Sequence, residues 1–138
     1  MKTNKILFGG LTGGIAYFFL GWIVYGILLK DFTTNSFNQC AMKPDDQMIW
    51  WALIASNLAS GFLLAFIFSI SNTIGFMSGI KIGAIVGLLI ALYLDLSFHS
   101  MTNLFNNFNA VIVDIVVNTI LAGIVGACVA QVMSSRGE

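Results

Sequence analysis

Ile82-Gly83-Ala84-Ile85-Val86-Gly87-Leu88-Leu89-Ile90-Ala91-Leu92-Tyr93-Leu94-Asp95 is the stretch that decides the fold. It carries no charge before its last residue, so a helix built from it is apolar on every side. Such a helix belongs inside a large protein or inside a bilayer. The chain has 138 residues, 58% hydrophobic and 9% charged, against roughly 25% charged in a soluble domain, so it cannot coat itself for water. The same texture recurs in four runs, Ile6–Leu29, Met48–Ile70, Ile80–Phe98 and Ala110–Met133. Each is about 20 residues or more, enough for roughly 30 Å of hydrocarbon. The sequence therefore predicts an all-α integral membrane protein, a single membrane domain over 1–138 built as a four-transmembrane-helix bundle. The run from Ile6 is too long for a signal-peptide core and is followed by no small-x-small cleavage site, so it is expected to be a retained first span.

Between the spans lie a polar loop (Lys30–Gln47), a short turn (Ser71–Gly79) and an uncharged Asn/Phe loop (His99–Asn109). Lys2, Lys5, Lys81 and Arg136 fall on one face of the expected bundle, Lys30 and Lys43 on the other. Because cytoplasmic loops are enriched in Lys and Arg, this predicts an N-in/C-in protein of the cytoplasmic (inner) membrane. Pro44 followed by Asp45 and Asp46 reads as the punctuation before helix two, with the acids at its positive end. Trp50, Trp51 and Tyr25 suit an aromatic belt at the outer interface. Six Lys and Arg balance six Asp and Glu, which leaves no basic surface for nucleic acid. Cys40 and Cys128 are expected at opposite membrane faces, out of reach of a mutual disulfide.

Small residues recur every four positions: Gly75, Gly79, Gly83, Gly87 and Ala91 in span three, Ala122, Gly126 and Ala130 in span four. Span one has Gly9, Gly10, Gly13 and Gly14, and span two has Ala52, Ser56 and Ser60 with, on a neighbouring ridge, Asn57, Gly61, Ala65 and Ser69. In lipid such small-xxx-small ridges let helix backbones approach closely. The pattern leaves open whether they pack within one chain, between copies in a homo-oligomer, or on a membrane partner. Asp31 and Asp95, and Asn57 and Asn118, occupy corresponding places in the two halves, the mark of a parallel repeat.

Two carboxylates fall within spans, and an intramembrane acid is costly enough to be a functional hypothesis by default. Asp95 continues the ridge Gly83, Gly87, Ala91, while Asn118, Ala122 and Gly126 follow Asp114 at the same step. If those ridges meet, the two acids converge near the outer face and must share a proton, recruit a cation or use a counter-charge. His99, one turn beyond Asp95, is the expected counter-charge. Asn57 and Asn118 would add a polar layer near the midplane, and Tyr25, with Tyr17 across Gly21, would add hydroxyls. Asp95, Asp114, His99, Asn57, Asn118 and Tyr25 thus form the expected pocket, between spans three and four. A purely structural reading competes with it, since acids near span ends meet water and an Asn can simply bond a neighbouring helix. One His and no nearby Cys make no metal or haem set, and no nucleophile triad or phosphate-binding glycine loop is present, so no cofactor, metal or catalytic residue is expected.

Gly9-Gly10-Leu11-Thr12-Gly13-Gly14, Leu20-Gly21-Trp22-Ile23-Val24-Tyr25-Gly26, Trp50-Trp51, and Thr102-Asn103-Leu104 leading to Asp114-Ile115-Val116-Val117 resemble a group of uncharacterised short four-span bacterial integral membrane proteins. The resemblance covers nearly the whole chain and implies the fold, but carries over no functional residue. A narrower likeness links the glycines of span one and Asn57-Leu58-Ala59-Ser60-Gly61-Phe62-Leu63-Leu64 to bacterial fluoride channels. The first-span Arg of those channels is missing here, and span three has no Thr/Phe/Ser break. The favoured function is a non-enzymatic interaction or scaffold component of a membrane assembly. The alternative is a small proton- or cation-linked transporter or channel using the polar pocket. A membrane enzyme acting on a lipid or quinone would need a catalytic set, and none is seen.

Overall fold

The computed structural model describes residues 2–38, 40 and 45–135. Lys43, Pro44 and Arg136, used above for the charge balance and the start of helix two, lie outside them. Five α-helices follow in order: α1 (Lys2–Ile23), α2 (Lys30–Ser36), α3 (Trp50–Ser71), α4 (Phe76–Met101) and α5 (Phe108–Ser135). A π-helical segment (Val24–Leu28) extends α1, and a 3₁₀ turn (Asp45–Gln47) precedes α3. Four stretches are long and apolar enough to cross a membrane: Thr3–Leu28, Trp50–Ser71, Phe76–Met101 and Phe108–Ser135.

The expected boundaries shift at three places. The polar loop is not loop throughout, because α2 occupies its first part, with Thr33 and Thr34 hydroxyls donating back to the Lys30 carbonyl at 2.9 and 2.8 Å. Asp45 and Asp46 do not belong to helix two. They form the separate 3₁₀ turn, Ile49 is extended, and α3 begins only at Trp50. Finally, α4 starts at Phe76 rather than Ile80, which shortens the α3–α4 connection. That connection is tight because Asn72 takes the left-handed region (φ 54°) and Gly75 has φ 92°, conformations that Asn tolerates and that Gly adopts without a steric penalty.

Glycines of α4 and α5, and of α1 and α3, stand against neighbouring helices of the chain. A Cβ at Gly83 would lie 2.6 Å from the Ala122 carbonyl oxygen, and at Gly79 and Gly126 it would strike the backbone of the facing helix. At Gly87 it would collide with the Ala122 methyl, and Ala91 is buried farther along the same seam. A second seam joins α1 to α3, where a Cβ at Gly13 would lie 2.9 Å from the Gly61 Cα and one at Gly14 2.8 Å from the Leu58 Cα. The two helix pairs meet along α1 and α5, and α5 is the most buried span. Going round the bundle the order is α3, α1, α5, α4, and the ring is nearly open between α4 and α3, which scarcely touch despite their short connection.

Two apolar clusters close the ends of this arrangement. Toward the chain termini, Leu64, Ala65, Phe68, Val125, Val129, Ala130 and Met133 form the main core. At the opposite end, Phe105, Ala110, Val111 and Ile115 pack with Ala91 and are covered by Phe32 and Phe37. There the α4–α5 connection is stitched to the end of α2: the Asn38 amide donates to the Leu104 carbonyl and the Asn106 amide to the Ser36 carbonyl, both at 2.7 Å. The Phe37 and Phe105 rings meet edge to face at 5.0 Å. Asp31 is exposed on α2 whereas Asp95 is buried, so the repeat read from their positions does not give them equivalent surroundings. Cys40 and Cys128 are free thiols.

Candidate functional site

Asp95 sits roughly two turns before the end of α4, and Asp114 roughly two turns into α5. The glycines preceding Asp95 let α4 and α5 approach closely, and the Asp95 and Asp114 side chains lie near enough to interact. Asp114 is well furnished with donors. The Tyr25 hydroxyl donates to its Oδ1 at 2.6 Å, and the Asn118 Nδ2 donates to its Oδ2 at 3.2 Å. The same amide reaches the Tyr25 Oη at 3.1 Å and the Asp114 carbonyl at 2.8 Å, so Tyr25, Asp114 and Asn118 form a closed polar triangle.

Asp95 is different. Only 7% exposed, it leaves Oδ2 fully buried with no hydrogen-bond partner among the described residues. Leaving a buried polar atom unpaired costs about 1–3 kcal/mol, and more for a charged group. Two carboxyls are both acceptors when ionised, so they hold together only with something positive between them, a proton or a cation.

Tyr25 owes its position to the π-helical segment, in which the Leu29 amide bonds back five residues to the Val24 carbonyl at 2.7 Å. A π turn holds extra residue per turn and rotates the side chains beyond it, and such segments recur at functional sites. Nothing in the composition of Val24–Leu28 marks it. The pocket residues read from sequence thus divide. Asp95, Asp114, Asn118 and Tyr25 come together. Asn57 lines the adjoining cavity, but its Nδ2 closes on its own helix at the Leu53 carbonyl, 2.8 Å away. His99 stays out: it is exposed, with its ring 5.4 Å from that of Phe108. A ridge of four-residue steps drifts about 40° per step, and one turn past Asp95 the drift has carried the imidazole off the seam.

Beside the pair lies a cavity of about 250 Å³. It is walled by Tyr17 of α1, Asn57, Ser60 and Leu63 of α3, Ile90, Leu94 and Asp95 of α4, and Asn118 and Ala122 of α5. The polar residues lie at the α4–α5 seam, yet the space itself occupies the gap between α3 and α4, not between spans three and four. The sequence places Ser60 on a packing ridge and does not reveal it as a cavity residue or reveal this gap, because which two helices fail to touch is set by the whole packing order. Among the described residues no three His, Cys, Asp or Glu gather as a metal-binding group, and the pair supplies at most two carboxyl ligands with the amide and phenol beside them. What the arrangement can do chemically is hold a proton or a monovalent cation where lipid would otherwise exclude it. Compared with protein-family models, curated proteins and solved structures, the chain matches none.

Proposed function

We propose that the protein is a small transporter of the cytoplasmic (inner) membrane, with both termini in the cytoplasm, that moves a proton or a proton-linked cation by way of the Asp95–Asp114 pair. The observation that carries this reading is Asp95 itself, buried on the wall of a cavity beside a second acid, with no donor to its Oδ2 among the described residues. The orientation rests on charge: Lys5 and Lys81 lie toward the end that holds the chain termini, and Lys30 and Asp31 toward the other. The proposal includes kinship with the short four-span bacterial membrane proteins, on the residues quoted above.

The scaffold reading depends on ridges free to meet a partner or a second copy. The glycine ridges of α4 with α5 and of α1 with α3 are covered by helices of the same chain, so association through them requires the bundle to open, whereas Ser56 and Ser60 of α3 stay exposed. The test is proton movement in proteoliposomes carrying a trapped pH-sensitive dye. Wild type should dissipate an imposed pH gradient or couple it to an added cation, and Asp95→Asn or Asp114→Asn should fall to the protein-free level while eluting as wild type does from a sizing column. Unchanged flux in the double variant would overturn the reading.

A further inference from the structure

We infer that the cavity takes a lipophilic amine or quaternary ammonium, entering sideways from the bilayer between α3 and α4. The inference deepens the transport reading and rests on it, naming the substrate class of the same site. Access decides the first part. Along the bundle axis the cavity is closed on one side by Leu64, Phe68, Val125 and Val129, all under 2% exposed. On the other side stand Val111 and Phe105 beneath the stitched loops. Between α3 and α4 the helices scarcely meet, and the edges of that gap are Leu63, Ile90 and Leu94, exposed by 41%, 39% and 42%. Those edges are apolar and turn toward acyl chains, so a hydrated ion meets hydrocarbon at the mouth, whereas an amphiphile already dissolved in the bilayer meets its like.

Charge decides the second part. The wall carries Asp95, with Asp114 against it, and no Lys, Arg or His. A phospholipid would bring its phosphate to the same two acids and be repelled. A single positive head on an apolar tail instead brings the charge that the acidic wall lacks and can lie against Asp95 where that residue lines the cavity. Tyr17 adds an aromatic ring to the wall, a surface that attracts alkylammonium heads. About 250 Å³ is slightly below the roughly 300–1,000 Å³ of drug-sized pockets, room for a head group whose tail stays in lipid.

The experiment is equilibrium binding of radiolabelled decyltrimethylammonium to the full chain in phosphatidylcholine nanodiscs, with protein-free discs as background and decanol as neutral competitor. Wild type should bind saturably above background, unaffected by decanol, and Asp95→Asn should weaken binding by roughly ten-fold or more. Leu63→Trp, which leaves both acids in place, should slow uptake by narrowing the mouth. The inference is overturned by the absence of saturable binding, by full competition from decanol, or by unchanged affinity in a folded Asp95→Asn variant. If that variant does not fold, unchanged uptake in Leu63→Trp overturns lateral entry. Loss of binding in discs containing phosphatidylethanolamine would assign the site to a lipid headgroup and overturn it as well. Binding is measured without a gradient, so its failure leaves the proton-flux result standing, and amine binding without flux supports the substrate class while striking the transport reading.

Discussion

Tyr25 lies 89 positions from its partner Asp114, and its hydroxyl both donates to that acid and accepts from Asn118. Tyr25→Phe removes both bonds while keeping the ring. The expected cost is about 1 kcal/mol, near the average of roughly 0.6 kcal/mol for polar contacts between membrane helices and within the usual range for a lost hydrogen bond. Reversible unfolding in mixed micelles measures it, and an unchanged midpoint would show the triangle to be loose. At this scale the sequence is half legible. Asp95, Asp114 and Asn118 can be read together because each extends a ridge of small residues by the same four-residue step. Tyr25 can be read as a hydroxyl on span one, but its aim at Asp114 depends on a π turn that leaves no trace in composition. His99 misleads for the opposite reason, since the local four-residue rule pairs it with Asp95 and the surrounding seam does not.

Two seams of missing side chains set how the helices pair. Gly83→Ala introduces a methyl 2.6 Å from the Ala122 carbonyl oxygen, and backbone cannot step aside as a side-chain tip can. Overpacking of this kind costs about 1–3 kcal/mol and should appear as earlier thermal unfolding in detergent without a change of oligomer size. Gly21→Ala is the contrast: a Cβ there meets nothing within 4 Å, so its unfolding should stay within about 0.5 kcal/mol of wild type. The spans and their ridges are plain in the sequence because bilayer thickness and close backbone approach each demand a pattern. The choice of facing ridge has no such pattern, since Gly79 of α4 and Gly9 of α1 look alike to any rule of spacing. The short α2 hides in its polar loop for a related reason: Lys30–Ser36 has no apolar stripe to announce it.

For the whole molecule, the end away from the chain termini is clasped by two connections that are distant in sequence. Phe105 is 7% exposed and holds them together. Phe105→Ala should cost about 3 kcal/mol or more and speed hydrogen exchange at the Asn38 and Asn106 amides, which bond across the clasp; unchanged exchange would show that the rings do not hold it. The membrane-spanning class is legible from composition alone, whereas the open side of the ring follows from the sum of all pairings. The solid floor formed by Leu64, Phe68, Val125 and Val129 has a kinetic meaning. On the proposed transport reading this floor closes the cavity toward the chain termini, so cargo would cross only when the helices exchange one arrangement for another. Throughput would then be bounded by the frequency of that exchange: flux in proteoliposomes should level off as cargo concentration rises and stay far below the currents that a single open pore gives in an electrical recording.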